Sequence, residues 1–599
     1  MRALLLPISF MLSFGVAAQQ GAMLSDPLLL DILKGDYDPQ LYAATQVIDD
    51  HADILCALRT EVSPDSLLAT LELLGSFHTR NSYSDTTSNS TGIGAARRWA
   101  HDRFAAIGAA NEGRLLPGYL SFDVIGADCG DAYGWKNVLA VLPGRDTTDA
   151  SVIIIEGHID SRCEDACDPQ CYAAGIEDNG SGTALVLELA RVMSRYTFDR
   201  TLVFMLTTGE EQGLIGATAM AEFCTAQGIR IKAVQNNDVV GGILCGETSS
   251  PPSCPSNGAV DSLQVRLFSS GNYNFPHRGF ARTVKLYYTE KLMAHVPVPM
   301  TISIMNQEDR TGRGGDHMPF RAEGFRNLRF CAANEHGDAD VDVPGYSDRQ
   351  HTGDDILGVD TDNDLVVDSF FVDKNYLARN TVINVMSATL LALGPATPEH
   401  IVHDEPTGLR VSITTQHTLP EYRIGVRMSN LSMDFDGLYR TTDTSFVIPN
   451  LMAGQAYYVS VAGVDANGIM SPFSKEFVRS NDADTPVAPQ DDLPFTINCA
   501  PIGMEEPSLP ANGVELLAPR PNPFQEHVII GVRVHTRPAY ATAALRISDM
   551  NGRRLHQRAI ALWPGTLEVD YHHQGPAGML LVELLIDGRS VDARRMIVQ

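Results

Sequence analysis

The sequence predicts an α/β protein with a mixed, largely parallel sheet flanked by helices, followed by two small all-β sandwich domains. Three observations predict it. Short apolar runs at 138–142, 152–155, 202–206 and 231–234 read as strands, with helical patterns at 183–193 and 214–223 between the later ones. Strands that alternate with helices imply crossover connections and parallel pairing. After Pro398 the helical period gives way to short alternating runs broken by Gly, Asn and Pro. Finally, 599 residues exceed one domain of ~100–200.

Taken in order, residues 1–18 read as a secretory signal: Arg2, an apolar run, and Val16-Ala17-Ala18 as a small-residue cleavage site. The run is shorter than the ~20 residues of a spanning helix, and Pro7 interrupts it. No membrane span is expected in the mature chain. Residues 19–61 read as a helical extension or propeptide. The catalytic-type α/β domain covers 62–396, starting at the helix signal Ser63-Pro64-Asp65 and closing with a helical run before Gly394-Pro395. A β domain follows over 400–482, then a Pro- and Asp-rich linker over 483–512 and a final β segment over 513–599.

The charge sum is 45 − 73 = −28. Phosphate affinity comes mainly from Lys and Arg, so nucleic acid is not expected as a partner. Export fits the 10 cysteines, most of which should be bridged in an oxidising compartment. Cys163, Cys167 and Cys171 read as loop staples rather than a zinc knuckle, with at least one reaching elsewhere. Cys245 and Cys254 flank a Pro/Ser-rich loop and are the expected local bridge.

The chemistry sits where strands are expected to end. Glu156-Gly157-His158-Ile159-Asp160 closes one apolar run, and Glu177-Asp178-Asn179-Gly180-Ser181-Gly182 leads into a helix. Thr208-Gly209-Glu210-Glu211 lies between a strand and a helix, and Asn236-Asn237-Asp238 ends another run. Gly314-Gly315-Asp316-His317 and His351-Thr352-Gly353-Asp354-Asp355 follow. In a chain with 73 acids, no single one of these means much. Together they place His and carboxylate groups at the carboxyl ends of strands, where open α/β sheets bind ligands. Two histidines with several carboxylates suit zinc.

In this order and with these neighbours, residues 62–396 resemble the co-catalytic di-zinc aminopeptidases of metallopeptidase family 28, which implies a zinc-exopeptidase-like fold. The resemblance implies His158, Asp178, Glu211, Asp238 and His351 as ligands of two zinc ions, with Asp178 bridging them. It implies Glu210 as general base and Asp160 as a carboxylate orienting His158. His317 is given a supporting role and no metal. Some relatives carry a Tyr immediately before the last histidine. Gln350 stands there here, and Tyr346 is the candidate oxyanion-binding group. Ser181 reads as a helix cap, not a nucleophile. The implied function is removal of N-terminal residues from peptides. Carboxypeptidase and glutaminyl-cyclase chemistry on the same scaffold are the alternatives, with a non-catalytic surface binding protein as a further one.

The β-rich remainder carries two more resemblances. Pro406-Thr407-Gly408-Leu409 and the run 457–465 resemble a fibronectin type III module. Pro521-Asn522-Pro523-Phe524, the run 547–553 and the closing Arg594-Arg595-Met596-Ile597-Val598 resemble the C-terminal sorting domain of type IX secretion cargo. The implied partners are peptide N-termini and a bacterial secretion machinery, with the protein secreted or held at the cell surface.

Overall fold

The computed structural model describes residues 18–245, 258–310, 313–333, 349–361, 367–428, 432–490, 499, 514–517, 519–534, 542–549, 553–575, 578–587 and 589–598. The expected signal cleavage site, Cys254 and Tyr346 fall wholly or partly outside them. The chain divides into two compact units, Met1–Ile502 and Gly503–Gln599.

The first unit is built on a nine-stranded mixed sheet of β1 (Ala18–Leu24), β2 (Leu116–Ile125), β3 (Ala132–Leu142), β4 (Val152–His158), β5 (Thr201–Thr207), β6 (Ile231–Asn237), β7 (Gln264–Phe268), β8 (Thr301–Ile304) and β9 (Asn327–Ala332). Its order is β1-β2-β3-β5-β4-β6-β9-β7-β8. The pairs β5/β4, β4/β6 and β6/β9 are parallel, so three neighbouring central strands, β5, β4 and β6, end on the same side. The outer pairs β1/β2, β2/β3 and β3/β5 are antiparallel. Every residue of β4 and β5 is buried, which is why they read as continuous apolar runs rather than alternating ones.

Nine helices are described: α1 (Pro27–Lys34), α2 (His51–Glu61), α3 (Pro64–Gly75), α4 (Gly92–Ala110), α5 (Ser181–Met193), α6 (Ile215–Gln227), α7 (His277–Lys291), α8 (His317–Ala322) and α9 (Lys374–Leu393). On one face of the sheet α3, α4, α5, α7 and α9 share a core with Ile153, Ile155, Leu202, Phe204 and Leu206. On the other, α1 and α6 pack on Ile154, Val203 and Met205. Ser63 caps α3 by accepting from the N–H of Ser66, as the Ser-Pro-Asp signal predicts.

The N-terminal stretch differs from the helical expectation at its start. Ala18–Leu24 is an edge strand paired antiparallel with β2. A Gln-Gln-Gly stretch has no strand period of its own, so neighbouring β2 sets its form. Leu55 and Leu58 of α2 are buried in the main core, and Cys56 is bonded to Cys499 across 443 residues of sequence.

Residues 399–481 form two further sheets. One contains Glu399–Glu405, Gly408–Thr414 and Ser445–Val447; the other contains Gly437–Thr441, Glu421–Arg427, Gln455–Val464 and Phe477–Asn481. Val411, Ile424, Tyr422, Val459 and Val461 fill the space between them. This sandwich sits against α7. A Cβ on Gly279 of that helix would lie 2.9 Å from the carbonyl oxygens of Phe473 and Ser474, so only glycine permits the approach. Arg423 of the sandwich pairs with Glu290 of α7 at 2.7 and 2.9 Å, with both side chains buried.

The second unit holds a three-stranded sheet (Val514–Leu516, His527–Val534, Gly565–His572) and a four-stranded one (Arg554–Ala559, Ala543–Asp549, Gly578–Ile586, Arg589–Val598). Val528, Ile530, Val532, Leu545, Ile547, Val582 and Leu584 form its core. Among the described residues no helix is long and apolar enough to cross a membrane.

All three clustered cysteines are staples in the expected sense: Cys163 pairs with Cys171, and Cys167 reaches Cys129. The Cys163/Asp168/Cys171 group therefore has no free thiolate to offer a metal. Cys224 and Cys331 are buried and take no part in a disulfide.

Candidate metal centre

The carboxyl ends of β4, β5 and β6 and the loops that leave them build one site. His158 is the last residue of β4 and is wholly buried. Its ring Nδ1 lies 3.2 Å from the backbone carbonyl of Asp160, while the Asp160 carboxylate is 3.6 Å away. That carboxylate instead accepts from the backbone N–H of Glu211 at 3.2 Å, of Glu210 at 3.4 Å, and from the Ser82 hydroxyl at 3.2 Å. Asp160 thus holds the Glu210-Glu211 loop, and its main chain orients His158. Gly209, with φ of +85°, lets that loop turn; a Cβ there would meet the Trp135 ring at 2.4 Å.

Asp178 sits in the loop between β4 and α5, followed by a cis peptide to Asn179. Asn179 ties the loop down by donating to the Asn237 carbonyl at 2.8 Å and accepting from Gly182 N–H at 2.8 Å. It is fully buried, which disposes of Asn179-Gly180-Ser181 as a glycosylation site. Ser181 is not the cap of α5; it is the first residue of the helix, after Gly180. Its hydroxyl donates to the Glu177 carbonyl at 2.7 Å and accepts from Val240 N–H at 3.0 Å, so it fastens the same loop.

The side chains of the two histidines converge on Asp178. His158 Nε2 is 3.1 Å from Asp178 Oδ1 and 3.5 Å from Asp238 Oδ1. His351 Nε2 is 3.1 Å from Asp178 Oδ2 and 3.2 Å from Glu211 Oε2. Two donor triads, His158/Asp178/Asp238 and Asp178/Glu211/His351, share one carboxylate, and a further group joins His158 with Glu210 and Glu211. Glu210 Oε2 stands 4.0 Å from His158 Nε2, beside both triads. All seven residues expected from sequence are brought together.

The donor set fits zinc. Imidazole nitrogens and carboxylate oxygens are its ordinary ligands. His158 Nε2 and Glu211 Oε1 are buried without a hydrogen-bond partner, as ligand atoms awaiting a cation would be. The electrostatics agree. Burial alone would depress the His158 imidazole, but Glu210 and the carboxylates of Asp160, Asp178 and Asp238 outweigh it and raise its proton affinity well above normal. Burial pushes the Asp178 carboxyl up, yet the two histidines hold it well below the usual carboxylate range. Burial raises the Glu210 carboxyl well above its ordinary value; His158 opposes this, and Asp238, Glu211 and Asp316 add to it. A site that pulls protons onto buried imidazoles also attracts metal cations.

Arg80 and Arg329 were not singled out by sequence, and Asp355 and Gln350 were named there without a role in holding the site. Asp355 accepts the backbone N–H of Glu177 at 2.8 Å and of Asp178 at 2.9 Å. Arg329 of β9 pairs with Asp238 at 3.1 Å and with both oxygens of Asp309 at 2.8 Å. Fully buried Arg80 donates to the carbonyls of Ile159, Ala174 and Gly175, joining the His158 and Asp178 loops. Gln350 donates to Asp178 Oδ2 at 2.6 Å. His351 and Val239, the neighbour of Asp238, both adopt positive φ, an uncommon state for non-glycine residues that concentrates at functional sites. His317 is buried in α8, with Nε2 3.2 Å from the Glu308 carbonyl, and joins none of the donor groups found among the described residues.

Comparison with known proteins places this site in context. Residues 137–249, which carry all of these seven residues except His351, match Peptidase family M28. A probable zinc metalloprotease of Pyricularia oryzae is 28% identical over 448 residues, 71% of this chain and 84% of that protein. A probable zinc metalloprotease of Pyrenophora tritici-repentis is 31% identical over 298 residues, 48% of this chain and 66% of that protein. The LapA aminopeptidase of Legionella pneumophila is a similar solved structure, at 18% identity and a TM-score of 0.41, over 59% of this chain and 78% of that one. The segment bearing the site thus matches this family.

Proposed function

We propose that the protein is an aminopeptidase that holds two zinc ions and releases N-terminal residues from peptides. The observation that carries this is the position of Asp178, whose two oxygens each lie 3.1 Å from a different histidine. One carboxylate between two donor triads is the layout of a two-metal site. His158 and Asp238 would hold one ion, Glu211 and His351 the other, and Asp178 both. Zinc bound there supplies Lewis acidity and brings the pKa of water from 15.7 toward ~7.

The chain's own residues account for the proton traffic. Glu210 is adjacent to the ligands and is not required by either triad. A carboxylate in that position can take a proton and give it back. As the water oxygen bonds to the scissile carbonyl carbon, Glu210 accepts the water's proton. When the C–N bond breaks, it returns that proton to the departing amine. No side-chain nucleophile is involved, and the Ser181 hydroxyl is engaged elsewhere.

A panel of peptides with free or blocked termini tests the direction of attack. Cleavage that requires a free amine supports the reading, and cleavage that survives a blocked amine replaces it with a carboxypeptidase or endopeptidase. Metal analysis should find about two zinc ions per chain. We further infer export from a bacterial cell, with residues 1–18 as the signal, a fibronectin type III-like sandwich over 400–482, and 513–599 as the sorting domain. Three disulfides among the described residues support an oxidising destination.

A further inference from the structure

Arg313, half-buried in the stretch before α8, reaches the edge of the metal centre. Its Nη2 donates to Gln350 Oε1 at 2.7 Å. Its Nη1 is 3.0 Å from His351 Nε2 and 3.5 Å from Nδ1 of the same ring. An atom lying on the Nε2 lone pair would be far from Nδ1. Near-equal distances instead put the guanidinium over the flank of the ring. The lone pair itself faces Asp178 Oδ2 and Glu211 Oε2. Arg313 and a metal ion at Nε2 therefore do not compete for one position.

The guanidinium is also held in place. Gln350 accepts from Arg313 with its oxygen and donates to Asp178 Oδ2 at 2.6 Å with its nitrogen, so its amide is fixed at both ends. Yet among the described residues no carboxylate pairs with Arg313, and its Nε is buried without a partner. The buried arginines 329, 423 and 427 each have a carboxylate. Arg313 alone of these four lacks a carboxylate counter-ion among the described residues, so its charge is open to an anion that forms at the metal centre.

We propose that Arg313 is the oxyanion-binding residue of the reaction, an inference that rests on the peptidase reading above. Attack on the scissile carbonyl moves its π pair onto oxygen, and that negative charge is stabilised by donors already fixed beside the reacting atoms. Arg313 supplies a planar, permanently charged fork of donors beside the reacting atoms.

The test compares the full-length zinc-loaded protein with Arg313→Lys and Arg313→Ala. Turnover should fall about a hundredfold or more in Arg313→Ala, the usual cost of losing one oxyanion donor, with KM nearly unchanged and zinc content equal to wild type. Calorimetry should show affinity for a phosphinate peptide analogue falling with kcat, while affinity for the product amino acid stays constant. Added guanidinium ion should restore part of the Arg313→Ala turnover. Equal turnover in the variants overturns the proposal. So does a loss confined to KM for substrates with a free carboxylate, which would make Arg313 a substrate anchor. A wild-type protein that cleaves no peptide overturns the peptidase reading itself; a wild type that does, with Arg313→Ala its equal, overturns only the role of Arg313.

Discussion

Asp355 holds Asp178 by its main chain: the Asp355 carboxylate accepts the N–H of Asp178 at 2.9 Å and that of Glu177 at 2.8 Å. The side chain of Asp178 is thereby left free to face both histidines. An amide in place of this carboxylate has only one accepting oxygen and would press an NH2 group against a backbone N–H. Asp355→Asn should weaken zinc retention about 10- to 100-fold, the usual effect of losing a group that orients a ligand. Competition with a chelator measures it. Unchanged zinc affinity would leave Asp355 as a loop contact only.

Glu210→Gln should keep its zinc and lose most turnover, by ~10²–10⁴-fold, because it deletes the proton carrier and spares every member of the two triads. Metal analysis and kcat on the same preparation separate the two effects. A variant that loses zinc instead would make Glu210 a ligand.

The sandwich is anchored through buried charge. Glu476 pairs with Arg427 at 2.6 Å and with Arg282 of α7 at 3.1 Å, all three side chains being at most 3% exposed. Glu476→Gln leaves two guanidinium groups buried without their carboxylate. It should destabilise the fold by ~3–5 kcal/mol. A drop in the thermal midpoint checks this, and a loss below 1 kcal/mol would mean that water reaches the pair.

Acid should weaken the fold through three histidines. Burial pushes His51, His277 and His400 each down to about 4. In the unfolded chain they titrate near ~6.5, so between these values the unfolded state binds protons that the native state refuses. Stability therefore falls as pH drops from 6.5 to 4, by roughly 1–3 kcal/mol per histidine. His400, held by the Val459 carbonyl at 3.1 Å and the Ser474 hydroxyl at 3.2 Å, is the cleanest probe. Urea melts of His400→Asn at pH 7 and pH 5 should show a shallower pH dependence than wild type; an identical dependence would refute its share.

The legible part of this protein was the part written locally. His158, Asp178, Glu210, Glu211 and Asp238 each follow an apolar run or open a helix, so their neighbours announced strand ends and loops. His351 became readable only by its order after them. Arg80, Arg313 and Arg329 carried no such mark, and Asp355 stood out only as part of the segment with His351, because their roles come from contacts with segments far away in sequence; Asp355 reaches Asp178 across 177 positions. The first strand was missed for a related reason. Nothing in Ala18–Leu24 alternates, and its form is imposed by the edge of β2. Asp160 was placed correctly beside His158, but only coordinates could show that its carboxylate serves the next loop and its carbonyl serves the ring.

The bond between Cys56 and Cys499 closes the peptidase fold and its sandwich into one covalent ring. A ring must be cut twice before anything falls off. A single nick by a neighbouring protease, anywhere between these two cysteines, leaves one molecule that still runs at full size on a non-reducing gel. Reduction would split it. That topology turns a first cut from a loss into a scar.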